Sequence, residues 1–133
     1  VMALPAAEYE EQAKQFSAEI ENSANPLVSL SFPAFHKCRQ KELGILAELA
    51  MIEGAIRYKT AGPAALPKIK DPSGQGEFSF GRFEFQGVDR GFRLRSEYEW
   101  RGFPEVLIFV EKAGPPFLVN GKNAGQPISK STN

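Results

Sequence analysis

Residues 92–101 read Phe-Arg-Leu-Arg-Ser-Glu-Tyr-Glu-Trp-Arg. The period is two: Phe92, Leu94, Ser96, Tyr98 and Trp100 share one face, and Arg93, Arg95, Glu97, Glu99 and Arg101 share the other. This is the pattern of a β-strand with one face on a core and one in water. Upstream, Phe78 and Phe80 share a face, and Phe83 and Phe85 share a face in the opposite phase. One extra residue, hosted by Gly81, would restore the phase as a β-bulge. Downstream, Arg101-Gly102 turns the chain into Phe103–Glu111 (FPEVLIFVE), apolar on both faces from Val106 to Val110. That run reads as a central or doubly covered strand, with Pro104 at its start or on an edge. Residues 77–111 therefore form a three-stranded antiparallel meander.

A sheet with one apolar face must bury it, and the preceding segment supplies the cover. The main helix is expected from about Pro33 to Ala61. Its inward stripe would be Phe35, Cys38, Ile45, Leu49, Ile52 and Ile56, flanked by Leu46 and Ala50, and Leu94 and Trp100 would meet Leu49, Ile52 and Ile56. Gly44 and Gly54 lie inside it at about 1 kcal/mol each relative to alanine. Asn25-Pro26 is a second start signal, so the alternative is one helix from Pro26 kinked at Pro33. Gly62-Pro63 ends the helix. A shorter helical arm covers 5–21, with Pro5 in its first position and Tyr9, Ala13, Phe16 and Ile20 on one stripe. The arm is expected to dock within the chain; if it projects, Tyr9, Phe16 and Ile20 form an interaction site. Residues 63–76 are loop, with Asp71-Pro72-Ser73-Gly74 in the order of a type I turn. Residues 114–133 are loop and tail, with a short fourth strand at 117–119 as an option. The fold class is α+β: one domain, residues 1–133, with a long helix on an antiparallel meander of three or four strands.

Composition limits the chemistry. Of 133 residues, 16 are Lys or Arg and 16 Asp or Glu, so the net charge is zero. That removes the whole-chain basic excess of a nucleic-acid binder. One cysteine, Cys38, and one histidine, His36, exclude intrachain disulfides, multi-cysteine metal sites and paired-histidine zinc motifs. His36 and Cys38 stand two apart and so on different helix faces, a poor nucleophile–base pair. Glu97 and Glu99 share a strand face with arginines and read as a solvated ion-pair ladder rather than an acid–base pair. The glycines at 74–91 lack phosphate-loop spacing. No catalytic, metal or cofactor residues are assigned. Arg82, Arg90, Arg93, Arg95 and Arg101 gather near two strands. The second functional reading uses Arg93, Arg95 and Arg101 on the outer sheet face to bind an anion or acidic glycan. No apolar run reaches the ~18 residues of a membrane span. Val1 in place of an initiator Met points to a processed or trimmed chain, compatible with a lost N-terminal anchor, so membrane association is expected only through a segment outside this sequence.

The order of motifs carries a resemblance. A long helix ends in Tyr58-x-x-x-Gly62, a Pro-rich loop follows, then Asp71-Pro72-x-Gly74, then Phe78-x-Phe80 with Arg82. This resembles the soluble domain of type II secretion pseudopilins of the major class. It is closer still to a group of pseudopilin-like proteins of planctomycete-type bacteria, which share a helical arm, an Asn-Pro-Leu segment like Asn25-Pro26-Leu27 and a later proline like Pro33. The resemblance spans roughly residues 4–126. It implies an extracytoplasmic, envelope-associated domain with an assembly role, a protein partner or self-association, and no catalysis. Two features depart from the major class. The segment Val119–Gly125 has no carboxylate where those proteins bind calcium, and Phe103–Glu111 is an added strand. Both favour a relative that kept the scaffold.

Overall fold

The computed structural model describes residues 4, 6–73, 76–100 and 103–128. In chain order they form α1 (Ala6–Glu21), α2 (Pro26–Ala61), a 3-10 turn (Pro63–Lys68), β1 (Ser79–Phe85), β2 (Val88–Trp100) and β3 (Phe103–Val110). The sheet is a meander in the order β1-β2-β3, with both pairings antiparallel. The α+β class and the helix-on-sheet layout are as the sequence predicts. Pro5, Gly74, the Arg101-Gly102 turn, the end of the tail, and the side chains of Tyr98 and Trp100 lie outside the described residues.

Two expectations about α2 are corrected. First, it starts at Pro26 rather than Pro33. Asn25 caps it, accepting a hydrogen bond from the Leu27 N–H at 3.0 Å, and Pro26 occupies the first turn. Pro33 sits inside the helix, where it removes one ladder donor. The segment stays helical because α1 grips it on both sides of the proline. Phe16 meets Phe32 edge-on at 5.1 Å, and the Tyr9 ring stacks on His36 at 5.6 Å. Gly62 ends α2 at φ 77°, its N–H donating to the Tyr58 carbonyl.

Second, α2 packs through the opposite face from the one expected. Its buried row is Arg39, Leu43, Ala47, Met51 and Ala55, at steps of four, with Gly44 and Gly54 beside it. Phe35, Cys38, Ile45, Leu46, Leu49, Ile52 and Ile56 are exposed, Leu49 at 57% and Ile56 at 59%. The reason is steric. The sheet presents Phe92, Leu94, Leu107 and Phe109, and these large side chains need a face of small residues to close on. Gly54 lets the helix approach until a Cβ there would stand 3.4 Å from Leu94 Cδ1 and Ile69 Cδ1. Leu94 therefore meets Met51, Ala55 and Gly54 rather than Leu49, Ile52 and Ile56.

The expected bulge also moves. Gly81 pairs regularly with Arg93. The slip lies on β2, where Phe83 pairs with Gly91 and Glu84 with Asp89, leaving Arg90 as the extra residue. The phase change between Phe80 and Phe83 is not undone, because both sheet faces are covered. Phe80 packs on Phe92 and Tyr58 beneath α2; Phe83 and Phe85 pack on Phe117 of the C-terminal segment. At Gly91, φ is 149° and a Cβ would lie 1.9 Å from the Phe109 carbonyl oxygen, so only glycine fits. The β1–β2 hairpin turns at Gln86-Gly87, both at positive φ. β3 is doubly covered as predicted, with Leu107 under α2 and Ile108 under Phe117. It is an edge strand, however. The Ile108 N–H donates to the Val119 carbonyl at 2.7 Å, and Asn120 bridges to Leu107, which covers the edge at that point. The optional fourth strand at 117–119 does not form; isolated bridges instead join Leu107 to Asn120 and Phe117 to Pro127.

Candidate functional site

The residues singled out by sequence scatter across the fold. Tyr9 and Ile20 are buried, Tyr9 in a cluster with Leu43 of α2, while Phe16 keeps 41% exposure over Phe32. The arm thus docks within the chain, the first of the two alternatives. The Tyr9 hydroxyl meets His36 Nδ1 at 3.0 Å, and burial holds the Tyr9 hydroxyl above its ordinary pKa. Arg39 runs under the same arm, donating to the Leu4 carbonyl and to Glu42. His36 therefore serves the helix–helix contact, while Cys38 faces outward.

The arginines divide in the same way. Arg82 donates to Asp89 at 2.7 Å and to Glu111 at 2.9 Å, tying β1 to β2 and to the end of β3. This pairing holds the Asp89 carboxyl below its usual range. Arg90 is buried, donating to the Lys112 and Pro115 carbonyls and lying 5.2 Å over the Phe117 ring. Arg93 and Arg95 stand exposed on the outer face of β2, and Arg95 reaches Glu99 at 3.8 Å. Arg101 lies outside the described residues. Glu97 and Glu99 are exposed on that face as well.

One buried polar device escaped the sequence reading. Asp71 opens its turn, the Ser73 N–H donating to its Oδ1 at 2.9 Å, but the same carboxylate also pins the sheet. The β2–β3 register slips between Arg95 and Glu99. There Asp71 Oδ2 accepts from the Ser96 hydroxyl at 2.6 Å and from the Glu97 N–H at 3.0 Å. Asp71 is 2% exposed and Ser96 is fully buried, so these bonds are shielded from water. The available signal was Ser96 itself, a small hydroxyl in a row of large apolar residues, which needs a polar partner once buried.

A cleft of about 240 Å³ opens between the end of α2, the 3-10 turn and β1, lined by Gly54, Pro63, Ile69, Glu77, Phe78, Phe80 and Leu94. It is smaller than the ~300 Å³ at which ligand pockets begin. Among the described residues no group of three His, Cys, Asp or Glu side chains could hold a metal, and no helix is long and apolar enough to cross a membrane.

The largest unassigned feature is the outer face of α2. Leu27, Leu30, Phe35, Cys38, Ile45, Leu46, Leu49, Ile52 and Ile56 are all exposed on it. At 1.5 Å per residue the 36-residue helix is about 54 Å long, and these side chains run along most of it. Lys41, Glu48 and Glu53 border them and Glu42 lies among them; Arg57 donates to Glu53, and Asn120 donates to Glu48. α2 thus carries apolar residues on two opposite sides. Here α1 and the sheet cover one side only.

Comparison with family models, with curated proteins and with solved structures finds no match to this chain.

Proposed function

We propose that this chain is a non-enzymatic interaction domain of pseudopilin-like build, associated with the cell envelope, which presents the outer face of α2 to a protein partner. The observation that carries the reading is the two-sided apolarity of α2. Met51 and Ala55 are buried beneath the sheet, while Ile45, Leu49, Ile52 and Ile56 form a second apolar row in water. A row of branched aliphatics at helical spacing suits another helix, whose side chains seat between them. Two acidic residues, Glu42 within the row and Glu53 at its border, disfavour an anionic lipid surface as the occupant. The envelope setting and the pseudopilin likeness rest on the motif order from Tyr58 to Arg82.

The test is site-directed photo-crosslinking in cells that make the protein. A photoreactive residue at position 49 should yield a covalent adduct with protein, and one at position 97, on the outer sheet face, should not. Adducts at 97 with none at 49 would move the function to the arginine-bearing face and overturn the proposal.

A further inference from the structure

We infer that the partner is a second copy of this chain, and that the two α2 helices pair antiparallel about a two-fold axis level with Ala47. The inference rests on reading the outer face of α2 as an interface, and names its occupant.

Three observations carry it. The first is spacing. Cys38, Ile45 and Ile52 recur at seven residues, as do Phe35, Glu42, Leu49 and Ile56. That is a heptad seam, the repeat by which two helices stay in contact over several turns. The second is size. Phe35, Ile45, Leu46, Leu49, Ile52 and Ile56 are each 39–61% exposed. Together they offer on the order of 600 Å² of apolar surface; with the stems of Lys41, Glu42 and Glu53 this approaches the ~800 Å² each partner gives to a standard interface. The third is charge, which selects the direction. A parallel, in-register pair would press Glu42 against Glu42 within the seam and set Glu48 beside Glu53 of the other copy. The antiparallel pair stacks Cys38 on Ile56, Ile45 on Leu49 and Glu42 on Ile52. On its flanks Lys41 comes within side-chain reach of Glu48 in the other copy, and Glu42 within reach of Arg57. Both sheets and both α1 helices lie on the far sides of the paired helices, since α1 and the sheet bind the opposite face of α2.

Cys38 provides the test, because the antiparallel pair sets the two Cys38 residues about 27 Å apart along the axis. Light scattering from micromolar to near-millimolar protein should show a dimer that the double variant Ile45→Glu/Leu49→Glu converts to a monomer with unchanged circular dichroism. Under mild oxidation the wild-type chain should not cross-link. The Ile56→Cys variant should give a disulfide-linked dimer through Cys38 of the opposite copy. A Cys38–Cys38 dimer in the wild type would overturn the antiparallel arrangement. A chain monomeric throughout the range would overturn self-association. In that case adducts from position 49 to a different protein leave the interaction-domain reading standing, and their absence removes that as well.

Discussion

Glu105 is the side chain at which the helix–sheet contact works against itself. It projects from β3 toward α2, where a Cβ at Gly44 would stand 3.0 Å from its Oε1. Burial, and then the neighbouring Glu48 carboxylate, raise its pKa above the ordinary glutamate value. A raised carboxyl pKa means that the folded chain holds this proton more tightly than the unfolded chain. Its ionisation therefore opposes folding at neutral pH, and that opposition is relieved as pH falls through the raised value toward the ordinary range. Asp89 has the opposite sign: Arg82 stabilises its charged form, so its contribution is present at neutral pH and is lost in acid. Glu105→Gln should raise the melting temperature by a few degrees at pH 7 and leave it unchanged near pH 4. A melting temperature lowered at pH 7, measured by calorimetry across that range, would contradict the account of Glu105.

At the scale of elements, α2 holds together through a proline because α1 grips it. Pro33 in an isolated helix costs about 3 kcal/mol. Here Tyr9 and Phe16 contact His36 and Phe32 on either side of it. Pro33→Ala should restore the missing donor and stabilise the chain by about 1–2 kcal/mol in urea unfolding, less than the full helix cost because proline also restricts the unfolded chain. A loss of stability would mean that proline at this position is needed to seat α1. The same element shows what the sequence could and could not convey. The caps at Asn25 and Gly62 were readable, and so was the alternation of β2, because each depends on neighbours in sequence. Whether Asn25-Pro26 or Pro33 opens α2 was not readable, since α1 decides it. The bulge could not be placed from the phase of the phenylalanines alone, because Phe83 and Phe85 keep their opposite phase and use it to bind Phe117.

At the scale of the molecule, α2 is a spine with two apolar sides and a fold on one of them. Periodicity finds the stripe of largest residues, and that stripe is the outer one. The inner stripe of Leu43, Ala47, Met51, Gly54 and Ala55 is weaker in hydropathy, and was chosen because phenylalanines from the sheet need small residues opposite them. That choice depends on long-range pairing, which no local window contains. It also turns a presumed core face into a candidate interface. The Asp71 pin lay hidden for a similar reason: a turn residue and a strand serine 25 apart in sequence meet only in the fold.

The account therefore stands on which side of α2 is inside, and one comparison decides it. Leu49→Asp and Met51→Asp place the same charge two residues apart on opposite faces. Thermal unfolding is followed in dilute solution, where association does not contribute. Leu49→Asp should change stability by about 0.5 kcal/mol or less, as a surface substitution does. Met51→Asp should cost about 4 kcal/mol or more, because it buries an unpaired charge beneath Phe92 and Leu94. The reverse order, with Leu49→Asp unfolding the chain and Met51→Asp tolerated, would contradict it.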